Sequence, residues 1–353
     1  MTFSPCPIDT ALFDRSVNAS EDFFRYVNGG WLDAHPVPPE YGSWGAFHEV
    51  TERNQNLLHE LLQRAAENPE SGEAPVAKAT RVVGDYFAAA MDETAIAEQG
   101  VAPLGPLLER IDRVTGVDDV RDIVCELQRI GVGALYSAGV SSDFEDADAY
   151  LVYVGQGGLG LPERDYYTRD DERSTALRDA YQAHMANQLM NLGYSTDDAQ
   201  GAAERILAFE TCLAEPSYTA EEMRDVQLTM NRHDVGELDE LMPGFGLQDH
   251  VRALGVTSPT VNVDNPGFFS ALDKLLAETP AETLRDYLRW NLVRSYAMAL
   301  SPEFENEAFD FYGRALGGQQ KMRPRWKRVL EWAGADIGEL VAQLYVDTAF
   351  SEQ

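Results

Sequence analysis

Lysine is scarce in this chain. Of its 28 positive residues among 353, only four are Lys (Lys78, Lys274, Lys321, Lys327), and they face 59 Asp and Glu, for a formal charge of 28 − 59 = −31. A charge of that size repels anionic lipid and nucleic acid, which all but excludes both as partners. High-GC codon usage and adaptation to a salty cytoplasm would each give the Lys-poor, acidic bias. Cysteine is sparse too: Cys6, Cys125 and Cys212 are odd in number and lack C-x-x-C spacing. That argues against a disulfide framework and against a Cys-based zinc site. No run of about 18 apolar residues exists to cross a membrane. Met1 to Thr10 has neither a basic flank nor an apolar run, so it does not read as a secretory signal. Together these absences lead to the expectation of a cytoplasmic protein.

What is present is ordinary for a globular chain, with 44% hydrophobic and 25% charged residues. Most of it carries helical periodicity. Val76, Ala79, Val83, Phe87 and Ala90 recur at intervals of three and four, as do Leu57, Leu58, Leu61, Leu62 and Ala65, and Ile337, Leu340, Val341, Leu344 and Tyr345. Each set places one apolar stripe on a helix. Thr279-Pro280-x-Glu282 reads as a capping box with Pro at the first helical position, and Ser301-Pro302 as a second cap with Pro. Val132–Val140 and Asp148–Val154 are rich in Val, Tyr and Leu between turn-like stretches, which predicts a β-hairpin. Pro5, Pro7, Pro36, Pro38 and Pro39 surround one short predicted helix, Glu21–Val27. The expected fold is therefore mainly α: an extended N-terminal arm over 1–42, then a large helical domain over 43–353 with a small β-hairpin.

Several motifs have both a chemical and a plain reading. Gly155-Gln156-Gly157-Gly158-Leu159-Gly160 matches G-x-G-x-x-G. A dinucleotide site would need a helix opening at the last glycine, and Pro162 follows too soon, so a tight structural loop is expected. His48-Glu49 and His59-Glu60 begin like H-E-x-x-H, but Glu52 and Gln63 stand where the second histidine belongs. Both pairs read as solvated helix faces, and no metal ligand is assigned in this chain. The isolated His35, His184, His233 and His250 read as surface or capping residues. Asp143, Glu145, Asp146 and Asp148 read as a solvated hairpin tip, because a calcium loop would want Gly where Asp148 stands. Lys321, Arg323, Arg325, Lys327 and Arg328 would either grip a carboxylate or an acidic partner surface, or pair internally with the surplus acids.

Four blocks, in order, carry a family resemblance. Asp22-Phe23-Phe24-x-Tyr26-Val27-Asn28-Gly29-Gly30-Trp31-Leu32, followed by Pro38 and Trp44-Gly45-x-Phe47, resembles the N-terminal signature of the neprilysin-like zinc metallopeptidases. The same holds for Gly158-Leu159-Gly160-Leu161-Pro162-x-Arg164-Asp165-Tyr166-Tyr167, for Arg325-Trp326-Lys327-Arg328, and for Leu344-Tyr345-Val346-x-x-Ala349-Phe350. In that family the zinc half follows the last block, with N-A-x-Y, H-E-x-x-H and E-x-x-x-D motifs. Neither N-A-x-Y nor H-E-x-x-H occurs here, and no E-x-x-x-D follows the last block.

The resemblance implies a helical lid domain and an arm that packs on a catalytic domain, together enclosing a chamber for short peptides. It assigns no catalytic residue and no cofactor to this chain. Zinc is expected in a partner chain bearing H-E-x-x-H, the two forming a heterodimer. Phe47 falls on an aromatic that lines the leaving-group side of the substrate pocket, with a core aromatic as its plain alternative. The family's Arg pair for the substrate C-terminus falls on Ser43 and Thr51, so that clamp is lost, and Arg53 is the candidate to replace it. Trp31, Trp326, Tyr345 and Phe350 are expected to contact the partner. The Met1 start fits an independently encoded subunit. A stand-alone peptide-binding or inhibitory module, or an artificial truncation of a full-length peptidase, are the alternatives.

Overall fold

The computed structural model describes residues 9–69 and 76–350. Asp22 starts the first long helix, its carboxylate accepting the Arg25 amide at 2.8 Å, and α1 runs Phe23–Ala34, a turn and more beyond the expected span. The other principal helices are α2 (Ala46–Glu67), α3 (Val76–Met91), α4 (Val117–Arg129), α5 (Glu172–Asn191), α6 (Thr196–Ala214), α7 (Pro266–Glu278), α8 (Ala281–Tyr296), α9 (Arg325–Asp336) and α10 (Gly338–Ala349). Strands β1 (Tyr136–Ser142) and β2 (Tyr150–Gln156) form the predicted hairpin, and β3 (Arg232–Asp234) and β4 (Thr260–Val263) complete a sheet ordered β1-β2-β4-β3. The fold is mainly α with this small sheet, as expected; β3 and β4 are too short to show period-two alternation.

The residues group into two units, one formed by the chain up to Asp92 together with the chain from Gly317, the other by Glu93–Leu316. Each has its own apolar cluster. In the first, Leu61 and Leu62 of α2, Val83 and Phe87 of α3, Val329 and Leu330 of α9 and Leu344 of α10 are buried together. All three predicted stripes therefore meet in one core. Gly84 sits where α3 crosses α2 so closely that a Cβ would strike the Ala65 backbone.

In the second unit α5, α6 and α8 pack around Trp290, Tyr181 and Tyr287, all fully buried. β1 and β2 pair antiparallel over seven positions, β2 runs parallel to β4 through Tyr153↔Asn262, and β3 is antiparallel to β4. The glycine-rich segment leaves β2 and passes over this core. Tyr287 donates its hydroxyl to Gly158 O (2.8 Å) and accepts the Leu135 amide (2.9 Å). Tyr167 accepts the amides of Gly160 and Leu161 and donates to the buried Glu210. A Cβ at Gly158 would overlap the Tyr287 hydroxyl, and one at Gly160 the Tyr181 hydroxyl. The glycines make room for tyrosines, so the segment is a structural loop clamped from below.

One start signal is corrected and the other is met in position only. Thr279 closes α7, donating its hydroxyl to Leu275 O (2.6 Å), and α8 begins at Ala281 without a side-chain cap. Ser301 and Pro302 do begin a helix, Pro302–Ala308, but the serine hydroxyl is spent on the Glu303 carboxylate instead of a backbone amide.

Candidate functional site

The candidate site residues, Phe47, Arg53, Trp31, Trp326, Tyr345 and Phe350, all fall in the first unit. Phe47 occupies the first turn of α2 and is 89% exposed, so its alternative as a core aromatic falls. At 100° per residue Phe47, Val50, Thr51 and Asn54 share one face, and that face continues into Leu58, Leu61 and Ala65. The stripe that is buried in the second half of α2 is thus open to solvent in the first half, where Val50 is also exposed. Arg53 is exposed, about 120° around the helix from Phe47. No ion pair engages it among the described residues. Phe47 and Arg53 therefore sit on different flanks. Thr51 donates its hydroxyl to Phe47 O at 3.0 Å and stabilises the turn that presents Phe47.

Trp31 of α1 stacks on His35 (4.6 Å between ring centres), and His35 Nε2 meets Glu49 at 3.2 Å. Glu49 is one turn before Arg53, so this line reaches the Arg53 flank of α2. Trp326 of α9 is half-buried and stacks on His59 at 4.2 Å. Tyr345 is half-buried on α10, and its ring meets the exposed Phe350 edge-on at 6.0 Å.

Sequence reasoning missed a network that fixes the start of α2. Glu52 accepts from the Tyr41 hydroxyl and from Lys327 Nζ. Burial pushes the Glu52 carboxyl up, but those two bonds and the Lys327 charge outweigh it and hold the group below its usual range. Burial first, then the Glu52 carboxylate, push the Tyr41 phenol up. Lys327 also lies over the Tyr41 and Trp326 rings, and Trp44 stacks on His48 beside Tyr41. The sequence showed Lys327 in a basic run and Glu52 in a failed zinc motif, with nothing to join positions 275 residues apart.

The same geometry settles the basic run. Lys321 pairs with Glu40 (3.2 Å), Arg323 with Glu331 (2.8 Å) and Lys327 with Glu52, while Arg325 donates to Ala90 O (2.7 Å) and Arg328 to Arg323 O (3.2 Å). The internal-pairing reading holds. His48 and His59 are half-buried between aromatic rings, which corrects their reading as solvated faces. Glu60 turns to Arg64 and Glu52 to Lys327, so neither His-Glu pair offers a zinc set. Among the described residues no three His, Cys, Asp or Glu side chains converge as a metal site.

In the second unit His184 and His250 are buried, which corrects their surface reading. His184 stacks on Phe311 and meets Glu307 at 3.0 Å. His250 Nε2 bonds Gln128 Oε1 at 2.9 Å, and burial lowers its pKa to about 4. Asp264 accepts the Gln156 amide at 3.1 Å, yet burial raises its pKa to about 6.

A family description, Peptidase family M13, in its N-terminal part, matches residues 19–353. Endothelin-converting enzyme 1 of Bos taurus is 30% identical over 352 residues, covering 96% of this chain and 46% of that protein. The chain spans about half the length of the curated relatives it matches. The crystal structure of Mycobacterium tuberculosis zinc metalloprotease Zmp1 in complex with inhibitor is similar over 97% of this chain and 52% of its own, with a TM-score of 0.89 and 32% identity. The crystal structure of PepO from Lactobacillus rhamnosis shares the fold at TM-score 0.80 and 21% identity, over 95% of this chain and 52% of its own.

Proposed function

The chain belongs to peptidase family M13, and from that premise we propose that it is the non-catalytic lid half of a neprilysin-like zinc metallopeptidase. A second polypeptide carries the H-E-x-x-H zinc site, and the two enclose a chamber for short peptides. The observation that supports this reading is the match itself: residues 19–353 correspond to the N-terminal region of the family, and relatives are covered over only about half their length. Nothing in this chain takes part in a bond-breaking step. Its contribution is to exclude bulk water, to restrict access by size, and to present side chains to the substrate.

Phe47 is the side chain best placed to touch substrate, because a ring this exposed gains by being covered. Arg53 is the exposed cation on the neighbouring flank, and a guanidinium is suited to hold a substrate carboxylate. Trp31, Trp326, Tyr345 and Phe350 belong to the surface that the zinc-bearing chain covers. The residues 1–42 act as the arm that packs on it, and the pair works in the cytoplasm.

Purification of the tagged chain from its native host, with intact mass and zinc content of the eluate, tests the proposal. A stoichiometric second polypeptide with H-E-x-x-H and one zinc per pair is the expected result. A single, zinc-free polypeptide that hydrolyses no peptide overturns it.

A further inference from the structure

The two edges of the small sheet are built differently. β3 is three residues long and reads Arg-His-Asp. Shortness and charge are the devices by which natural edges refuse another strand. β1, at the other edge, is seven residues long and reads Tyr-Ser-Ala-Gly-Val-Ser-Ser, with no Lys and no Pro. It pairs with β2 in unbroken register, so no bulge twists it away. From Ser137 to Ser142 every residue is exposed.

The register tells which amides are available. In an antiparallel pair alternate residues bond inward, and those between turn both N–H and C=O outward. The Asp143 amide donates to Ala149 O at 3.0 Å, which extends the ladder and places Ser141, Gly139 and Ser137 in the inward set. Ala138, Val140 and Ser142 therefore point outward, and of their carbonyls that of Ser142 accepts the Tyr153 hydroxyl at 3.0 Å. Val140 and Tyr150 lie on one face beside this edge and are 70% and 79% exposed. At its end stands the acidic turn. Arg232 pairs with Asp143 (2.6 Å) and Glu145 (2.9 Å), while Asp146 and Asp148 have no ion pair among the described residues.

We propose that β1 accepts an extended cationic polypeptide segment as a fifth strand of the sheet. Its main chain bonds Ala138, Val140 and the Ser142 amide, alternate apolar side chains cover Val140 and Tyr150, and basic residues lie beside Asp146 and Asp148. Backbone bonds supply affinity in this mode, and alternate side chains supply selectivity. A second copy of a chain carrying −31 is a poor occupant, because like charges repel.

The test uses the full chain and a short fluorescein-labelled peptide of alternating lysine and valine, read by anisotropy. Saturable binding that weakens with added salt is expected, with none for the glutamate–valine counterpart. Val140→Pro, at an edge position that tolerates proline, is expected to weaken binding by about tenfold or more. A peptide N-methylated at alternate amides asks the same question of the unaltered chain: it should fail to bind, while the parent peptide slows amide exchange at Ala138 and Val140. The proposal is overturned if the lysine–valine peptide shows no saturable binding, if the N-methylated peptide binds as well as its parent, or if the edge is found occupied by a second copy in a dimer that Val140→Pro dissolves.

Discussion

Phe47 and Gly160 mark two opposite kinds of residue in this chain. Phe47 touches almost nothing in the fold, so Phe47→Ala should leave the urea midpoint within about 0.5 kcal/mol of wild type. Under the proposed function the same change should raise KM for a short peptide in the assembled peptidase, and an unchanged KM would remove Phe47 from the substrate surface. Gly160 has no chemistry to lose, yet Gly160→Ala drives a methyl into the Tyr181 hydroxyl and should cost about 1–3 kcal/mol in urea unfolding. Two titrating groups, His250 buried and Asp264 half-buried, act in opposite senses with pH. The pKa of His250 falls from 6.5 unfolded to about 4 folded, so the unfolded chain binds the extra proton and stability is lost as pH drops from 6.5 towards 4, by about 3 kcal/mol at most. Asp264 rises from 3.8 to about 6, so here the folded chain holds the extra proton and stability is lost as pH rises through the overlapping window. His250→Gln should flatten the acid loss measured by urea unfolding between pH 6.5 and 4, and Asp264→Asn should steepen it.

Helix α2 shows how one element can serve both a core and a surface. Its stripe was legible over Leu57–Ala65 because apolar residues recur there every three or four positions. Where the stripe continues into Val50 and Phe47 the chain stays exposed, and no periodicity could announce that change, since burial depends on what lies opposite. The first half of the helix is held instead by Lys327 of α9, which brings its charge to Glu52 and Tyr41. Lys327→Met should destabilise the first unit by about 2 kcal/mol in urea, because it leaves Glu52 part-buried without its cation. The double change with Glu52→Gln should recover part of that loss, and a fully additive pair would show that the two side chains do not act together. The sheet makes the complementary point. The hairpin was readable from two long Val- and Tyr-rich runs, whereas β3 and β4 owe their conformation to the partner strand.

For the molecule as a whole, two apolar clusters coincide with two units, and only the second unit is one continuous stretch. Residues 93–316 expressed alone should fold, since their cluster draws on no residue outside that span. A cooperative thermal transition by circular dichroism is the expected result, and a broad, non-cooperative melt would show that the second unit depends on the first. The first unit closes its core only when α9 and α10 return to α2 and α3 from the far end of the chain. The charge of −31 belongs to this scale as well. Added NaCl should raise Tm from its low-salt value by screening that self-repulsion, as read by scanning calorimetry.

By itself the sequence determined the helical class, three stripes of the first core, the hairpin and the family, because periodicity and motif are local properties that survive without a partner. It could weigh the glycine-rich run and the basic run but not decide them. Only the folded chain shows Tyr287 and Tyr181 filling the space beneath Gly158 and Gly160, or Glu40, Glu331 and Glu52 answering Lys321, Arg323 and Lys327. Those pairings join residues far apart in the chain, and a linear pattern carries no record of distance in space. The same reason hid the burial of His184 and His250, the exposure of Phe47 and the open edge of β1: each is a fact about what does or does not lie opposite, which tertiary packing alone decides.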